Sequence, residues 1–187
     1  KYNIGMYVKD SNVIGPKGED TISLEDAASY ISKYSHYPSF CGMYLQDEPN
    51  TDYYVPGNGE KDMHLFGELA DLIGNQLDLE FYANGYAMVK DRDESEWRRY
   101  MDEFMETFQP RVLNCTNYAY GYFLGQSDVT MNYEQHFQTL SVLREYAQKS
   151  EIPFWSWVTA GTQYNDDQNH MDSILPYLPN EAQFCWN

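Results

Sequence analysis

Residues 40–50 read Phe-Cys-Gly-Met-Tyr-Leu-Gln-Asp-Glu-Pro-Asn (FCGMYLQDEPN). The first six, 40–45, are apolar and aromatic enough to predict a buried strand. The chain then presents Gln46, Asp47 and Glu48 in succession, and Pro49 stops the ladder. The same kind of run recurs on both sides. Residues 3–8 (NIGMYV), 79–83 (LEFYA), 112–115 (VLNC) and 153–158 (PFWSWV) are short, apolar and in several cases bounded by Gly, Pro or Asn, so they too read as strands. Helical periodicity fills the gaps. Residues 23–34 place Leu24, Ala27, Ala28 and Ile31 on one face, with Ser23 as N-cap and Asp26 closing a Ser-x-x-Asp box. Residues 63–73 carry Phe66, Leu69, Leu72 and Ile73, and residues 132–148 carry His136, Phe137, Leu140, Leu143 and Tyr146. The strongest stripe runs over 94–108: Trp97, Tyr100, Met101, Phe104, Met105 and Phe108 fall on one side of a 3.6-residue period.

Strands separated by helices at roughly 30–45 residues are the pattern of βα units and a parallel sheet. Five such units make either a small doubly wound sheet or part of an eight-unit barrel, which needs about 250 residues. The ends of the chain favour the second expectation. It begins on a strand, and Asn180 with Gln183, Phe184, Cys185 and Trp186 starts an apolar helix just as the sequence stops. The expected fold is therefore α/β, a TIM (β/α)8 barrel represented by about five βα units over residues 1–187, with further parts of the same polypeptide beyond.

Composition narrows the partners. A formal net charge of −17 repels phosphate backbones and anionic lipid heads, which argues against nucleic acid. No stretch reaches the ~20 apolar residues of a membrane span. Three scattered cysteines, without a C-x-x-C pair, supply neither a disulfide framework nor a zinc knuckle, and four dispersed histidines give no metal spacing. Neither a dinucleotide fingerprint nor a nucleophile elbow is present, and no cofactor is called for. The chain is rich instead in aromatics with a polar edge: 18 Tyr and 4 Trp beside 9 Phe. Such rings match the C–H patches and rim hydroxyls of sugars, and they equally fill ordinary cores.

In a βα barrel the loops after the strands form the active face. At the end of 40–45, Asp47 and Glu48 alternate in direction, so one faces the mouth while the other supports it. A carboxyl group walled by tyrosines such as Tyr44 can be kept protonated by desolvation and can then protonate a leaving oxygen. An acidic turn after a strand is the inert alternative. Gln46, Asn84, Tyr86, Asn117, Tyr118 and Gln163 also fall at or after predicted strand ends, where amides and phenols bind hydroxyls and where Asn equally serves turns. Trp155 and Trp157 share one face of the last strand, as stacking platforms or as core.

A strand ending in GMYLQDEPN resembles the fourth-strand motif of the large retaining clan of glycoside hydrolase barrels, in which Asn-Glu-Pro is commoner than Asp-Glu-Pro. The resemblance is motif-grade only over residues 42–50. It extends in architecture to most of the chain, which then corresponds to barrel strands three to seven. It implies that Glu48 is the general acid/base, that Asp47 takes the place of the neighbouring Asn, and that the substrate is a poly- or oligosaccharide. The similarity in style is to hydrolase-like bacterial barrels, often secreted or at the cell surface. One departure stands out. The clan sets its nucleophilic Glu at the end of strand seven, yet residues 153–161 (PFWSWVTAG) hold no acid. Asp10 and Asp47 are the substitutes at strand ends, and a barrel that binds carbohydrate without cleaving it is the alternative function.

Overall fold

The computed structural model describes residues 5–10, 12–13, 23–49, 51, 63–88, 93–117, 120–121, 130–131 and 133–156. Tyr118, Trp157 and Gln163, and the expected helix start at Asn180, lie outside them. In chain order the elements are β1 (Met6–Val8), α1 (Leu24–Ser32), β2 (Phe40–Asp47), a 3-10 turn (Met63–Phe66) leading into α2 (Gly67–Asp71) and a π turn (Leu72–Gln76), β3 (Glu80–Tyr86), α3 (Glu94–Phe108), β4 (Leu113–Thr116), β5 (Tyr120–Gly121), β6 (Thr130–Met131), α4 (Tyr133–Lys149) and β7 (Phe154–Trp155).

Five strands form one sheet in the order β1-β2-β3-β4-β7, and every neighbouring pair is parallel. The spatial order follows the chain order without reversal, apart from the small antiparallel β5–β6 hairpin. A doubly wound sheet reverses its strand order and sends helices to both faces. Here α1 touches α2, and α2 touches α3. Between α3 and α4, Arg98 ion-pairs with Glu145 at 2.9 Å and Gln138 donates to Glu94 at 2.6 Å. Consecutive helices that touch one another lie on the same face, so the doubly wound expectation does not fit the described sheet.

That face is where the core sits. Met43, Leu45, Phe81, Ala83, Leu113 and Cys115 from the strands are buried against Trp97, Met101, Phe104 and Phe108 of α3 and Leu140 and Leu143 of α4. Cys115 Sγ lies 3.8 Å from Met101 Sδ, and the Phe81 and Phe108 rings are 6.4 Å apart. α3 is bounded as its sequence predicts. The Asp93 side chain accepts from the Ser95 N–H, and Gln109 closes the helix in the left-handed conformation at φ 45°. Ser23 caps α1 by accepting from the Asp26 N–H.

Several boundaries differ from expectation. β2 runs on through Gln46 and Asp47, and β3 through Asn84, Gly85 and Tyr86, so Asn84 and Tyr86 belong to a strand where turn residues were expected. The 63–73 helix is split into 3-10, α and π turns, with Gly67 opening the α turn and Gly74 in the middle of the π turn. The two short strands of the hairpin, Tyr120–Gly121 and Thr130–Met131, have no counterpart among the expected strands.

Candidate functional site at the carboxyl ends of the strands

The carboxyl end of the sheet is assembled from three adjacent strands. β2 delivers Gln46, Asp47 and Glu48; β3 delivers Asn84 and Tyr86; β4 delivers Thr116 and then Asn117. Register fixes their levels: Asp47 is opposite Asn84, and Tyr86 is opposite Thr116. The Asn84 side chain donates to the Thr116 hydroxyl, tying β3 to β4 at this edge. Gln46, Asn84 and Asn117 are buried, Tyr86 is half-buried, and Asn117 donates from Nδ2 to the His136 carbonyl of α4 at 3.2 Å.

Glu48 sits in the turn that leaves β2 and has φ 54°. The other positive-φ residues among those described, Asp78, Gln109 and Glu151, all lie in connections from a helix to the next strand, where left-handed closures are routine. Glu48 has no helix behind it, so its conformation requires external support. Its N–H donates to the Asn84 carbonyl at 2.7 Å. On its other side, the Pro49 carbonyl accepts from the Tyr100 hydroxyl at 2.8 Å. Tyr100 is fully buried in α3, and the same hydroxyl accepts from the Tyr86 N–H at 3.1 Å. Trp97, one turn earlier, donates its indole N–H to the Tyr86 carbonyl at 3.0 Å.

Glu48 also acts electrostatically on the core. Burial raises the pKa of the Cys115 thiol far above its ordinary value, and the nearby Glu48 charge adds to the rise. Cys115 is therefore an inert, protonated core group.

The sheet face turned away from the helices carries a run of aromatics. Tyr44 stacks on Tyr82 with centroids 5.3 Å apart, and Tyr82 also meets Tyr7 at 6.0 Å and Trp155 at 6.2 Å. The Lys9 ammonium lies 5.3 Å from the Tyr44 ring centre. Trp155 is 47% exposed, which leaves its ring available for stacking. The Tyr7 hydroxyl donates to Glu80 on the same face.

Asp10 follows β1 at the same end of the sheet. It is buried and accepts from the Tyr34 hydroxyl at 2.6 Å and from both the backbone and side chain of Asn12 at 2.8 Å. Although burial opposes its charge, these donors together with Lys33 hold its pKa below the usual aspartate value. Asp10 is an ionised anchor joining the end of β1 to α1. A shallow groove of about 50 Å³ between Asp71, Gly74, Phe81 and Arg111 lies at the opposite, amino-terminal end of β3, remote from these residues.

Comparison with protein-family models, curated proteins and solved structures gave no match to this chain. Sequence reading missed Tyr100 and Trp97, because at helical spacing they register only as members of an apolar stripe. Their polar tips were the available signal: a buried Tyr or Trp needs a partner for its O–H or N–H.

His136, beneath Asn117, provides a pH test of this support. Burial lowers its pKa from 6.5 to about 4. Between those values the unfolded chain binds more protons than the folded one, so this contribution to stability is lost as pH falls from about 6.5 towards 4. Urea midpoints measured at pH 7 and pH 4.5 are expected to drop for the wild type. His136→Phe is expected to flatten the dependence in that window, and an unchanged dependence would contradict the assignment.

Proposed function

We propose that the chain is a run of βα units from a (β/α)8 barrel and acts on a poly- or oligosaccharide as a glycoside hydrolase, with Glu48 as general acid/base. One observation carries the reading: Glu48 is held in a left-handed turn at the carboxyl end of a parallel sheet, beside amide and hydroxyl groups from the next two strands. Carboxyl ends of parallel strands are where α/β barrels build their sites. Within this reading Glu48 protonates the glycosidic oxygen as that bond breaks and the alcohol leaves, while a second carboxylate takes the anomeric carbon as a glycosyl ester; Glu48 then takes a proton from the water that displaces it. Gln46, Asn84, Tyr86 and Asn117 supply rim contacts to hydroxyls, and Tyr44 and Trp155 supply aromatic faces. Asp47, adjacent to Glu48, is its nearest carboxylate in sequence. The work would be done outside the cell or at its surface, where polysaccharides are met.

A second reading, binding without turnover, gains weight from Asp10. Its oxygens are engaged by Tyr34 and Asn12, which removes the other strand-end carboxylate from the role of catalytic partner. A panel of soluble oligosaccharides and aryl glycosides, assayed for new reducing ends and for binding by calorimetry, separates the two. Turnover supports the hydrolase, binding alone supports the second reading, and neither across the panel refutes both.

A further inference from the structure

The Glu48 turn is the only positive-φ position among the described residues that leaves a strand, and two bonds bracket it. The one from the Glu48 N–H goes to β3, and the one to the Pro49 carbonyl comes from α3. The second is made by a hydroxyl that is fully buried and fully used: Tyr100 donates to Pro49 and accepts from Tyr86. A single oxygen thereby ties the turn after β2 to the end of β3. Pro49 is itself buried, so no water stands ready to replace the donor.

From this geometry we infer that Tyr100 is a positioning residue for Glu48: its hydroxyl holds the Glu48–Pro49 turn in the left-handed conformation that sets where the carboxyl group lies. The inference rests on the acid/base reading of Glu48. Without the hydroxyl, the Pro49 carbonyl loses its partner and Glu48 is released towards the extended conformation that a non-glycine residue prefers. The carboxyl group then moves relative to any bound glycosidic oxygen. Proton donation is the step that suffers, because it depends on a reach of about 3 Å. Trp97 is the natural comparison, since its indole N–H holds the Tyr86 carbonyl from the same helix.

The test compares Tyr100→Phe, Trp97→Phe and Glu48→Gln in the full chain on two aryl glycosides of whichever sugar is turned over, one with a phenyl and one with a 2,4-dinitrophenyl leaving group. The dinitrophenolate departs with little help from an acid, and the phenolate does not. Tyr100→Phe is expected to lower kcat/KM, which reports the bond-breaking step, at least tenfold more on the phenyl glycoside than on the dinitrophenyl glycoside. Trp97→Phe is expected to lower both rates by the same factor. Equal losses on the two substrates for Tyr100→Phe, while Glu48→Gln shows the differential, would overturn the positioning role and leave the acid/base reading intact. If Glu48→Gln shows no differential, the acid/base reading itself fails. Two further readouts need no turnover. The carbon-13 titration of the Glu48 carboxyl group, assigned by its loss in Glu48→Gln, is expected to shift in Tyr100→Phe, and an unmoved midpoint would contradict the role. In the wild type, the Glu48 amide is expected to exchange with solvent as slowly as the β3 amides, and exchange at loop rates would show that no clamp exists.

Discussion

Glu48→Gln is expected to lower hydrolysis of a substrate with a poor leaving group by about two to four orders of magnitude, the span typical of a lost general acid. Gln keeps the size of the side chain, so the turn and its bond from the Glu48 N–H to Asn84 remain. What disappears is the proton. The loss should shrink on a substrate whose leaving group departs unaided, and the pH profile of the residual activity should lose the limb due to the acid. Values of kcat/KM on paired aryl glycosides between pH 4 and 8 check both expectations. A variant that keeps the wild-type rate on the poor leaving group would exclude Glu48 as the acid, whatever its position.

Gly42→Ala is expected to produce the largest effect on stability. Gly42 lies in the middle of β2, paired with Tyr7 on one side and Glu80 on the other. A Cβ built there would overlap the Glu80 carbonyl, which is backbone and has no rotamer to escape into. Either β2 and β3 separate or the register between them slips, and both outcomes disturb the packing of Met43 on Phe81 that buries this part of the core. A forced backbone shift of this kind costs on the order of 3 kcal/mol or more. For a chain of this size that corresponds to a melting temperature lower by about 10 °C. Gly67→Ala is the control. Its Cβ would meet the Thr107 side-chain methyl at 3.1 Å, a group that can yield, and alanine favours the helix. The control should stay within about 1 kcal/mol of the wild type. Equal melting of Gly42→Ala and wild type would mean that the strands are not as close as the sheet requires.

The contrast between these two glycines shows what the sequence could and could not reveal. Apolar runs and helical stripes located the strands and helices, and the 94–108 stripe coincides with α3 to the residue. Strand ends were harder to read. Asn84-Gly85 has the composition of a turn, yet the ladder continues to Tyr86, which pairs with Thr116 of β4 while Trp97 and Tyr100 of the following helix hold the Tyr86 backbone. Local propensity cannot anticipate a partner supplied by another element. The split of 63–73 is a milder case: the apolar period is continuous there, but the two glycines weaken the helix and the turns tighten or widen around them.

The site divides in the same way. That acid and amide residues gather at the carboxyl ends of the strands follows from the βα pattern, and Glu48, Asn84 and Asn117 were legible on that ground. That Asp10 is instead spent on Tyr34 and Asn12 was not, because its chemistry depends on where α1 ends rather than on its own neighbours. The hydroxyl of Tyr100 and the face shared by Tyr44, Tyr82 and Trp155 become visible only when register and packing are known.

The central claim is that the carboxyl edge of this sheet receives a sugar. Amide chemical shifts recorded while a bound oligosaccharide is titrated test it most directly. The expected result is a contiguous set of changes at residues 46–48, 84–86 and 116–117, with Trp155 responding on the aromatic face. Changes confined to the groove at Asp71, Gly74 and Arg111, at the other end of β3, would contradict the account.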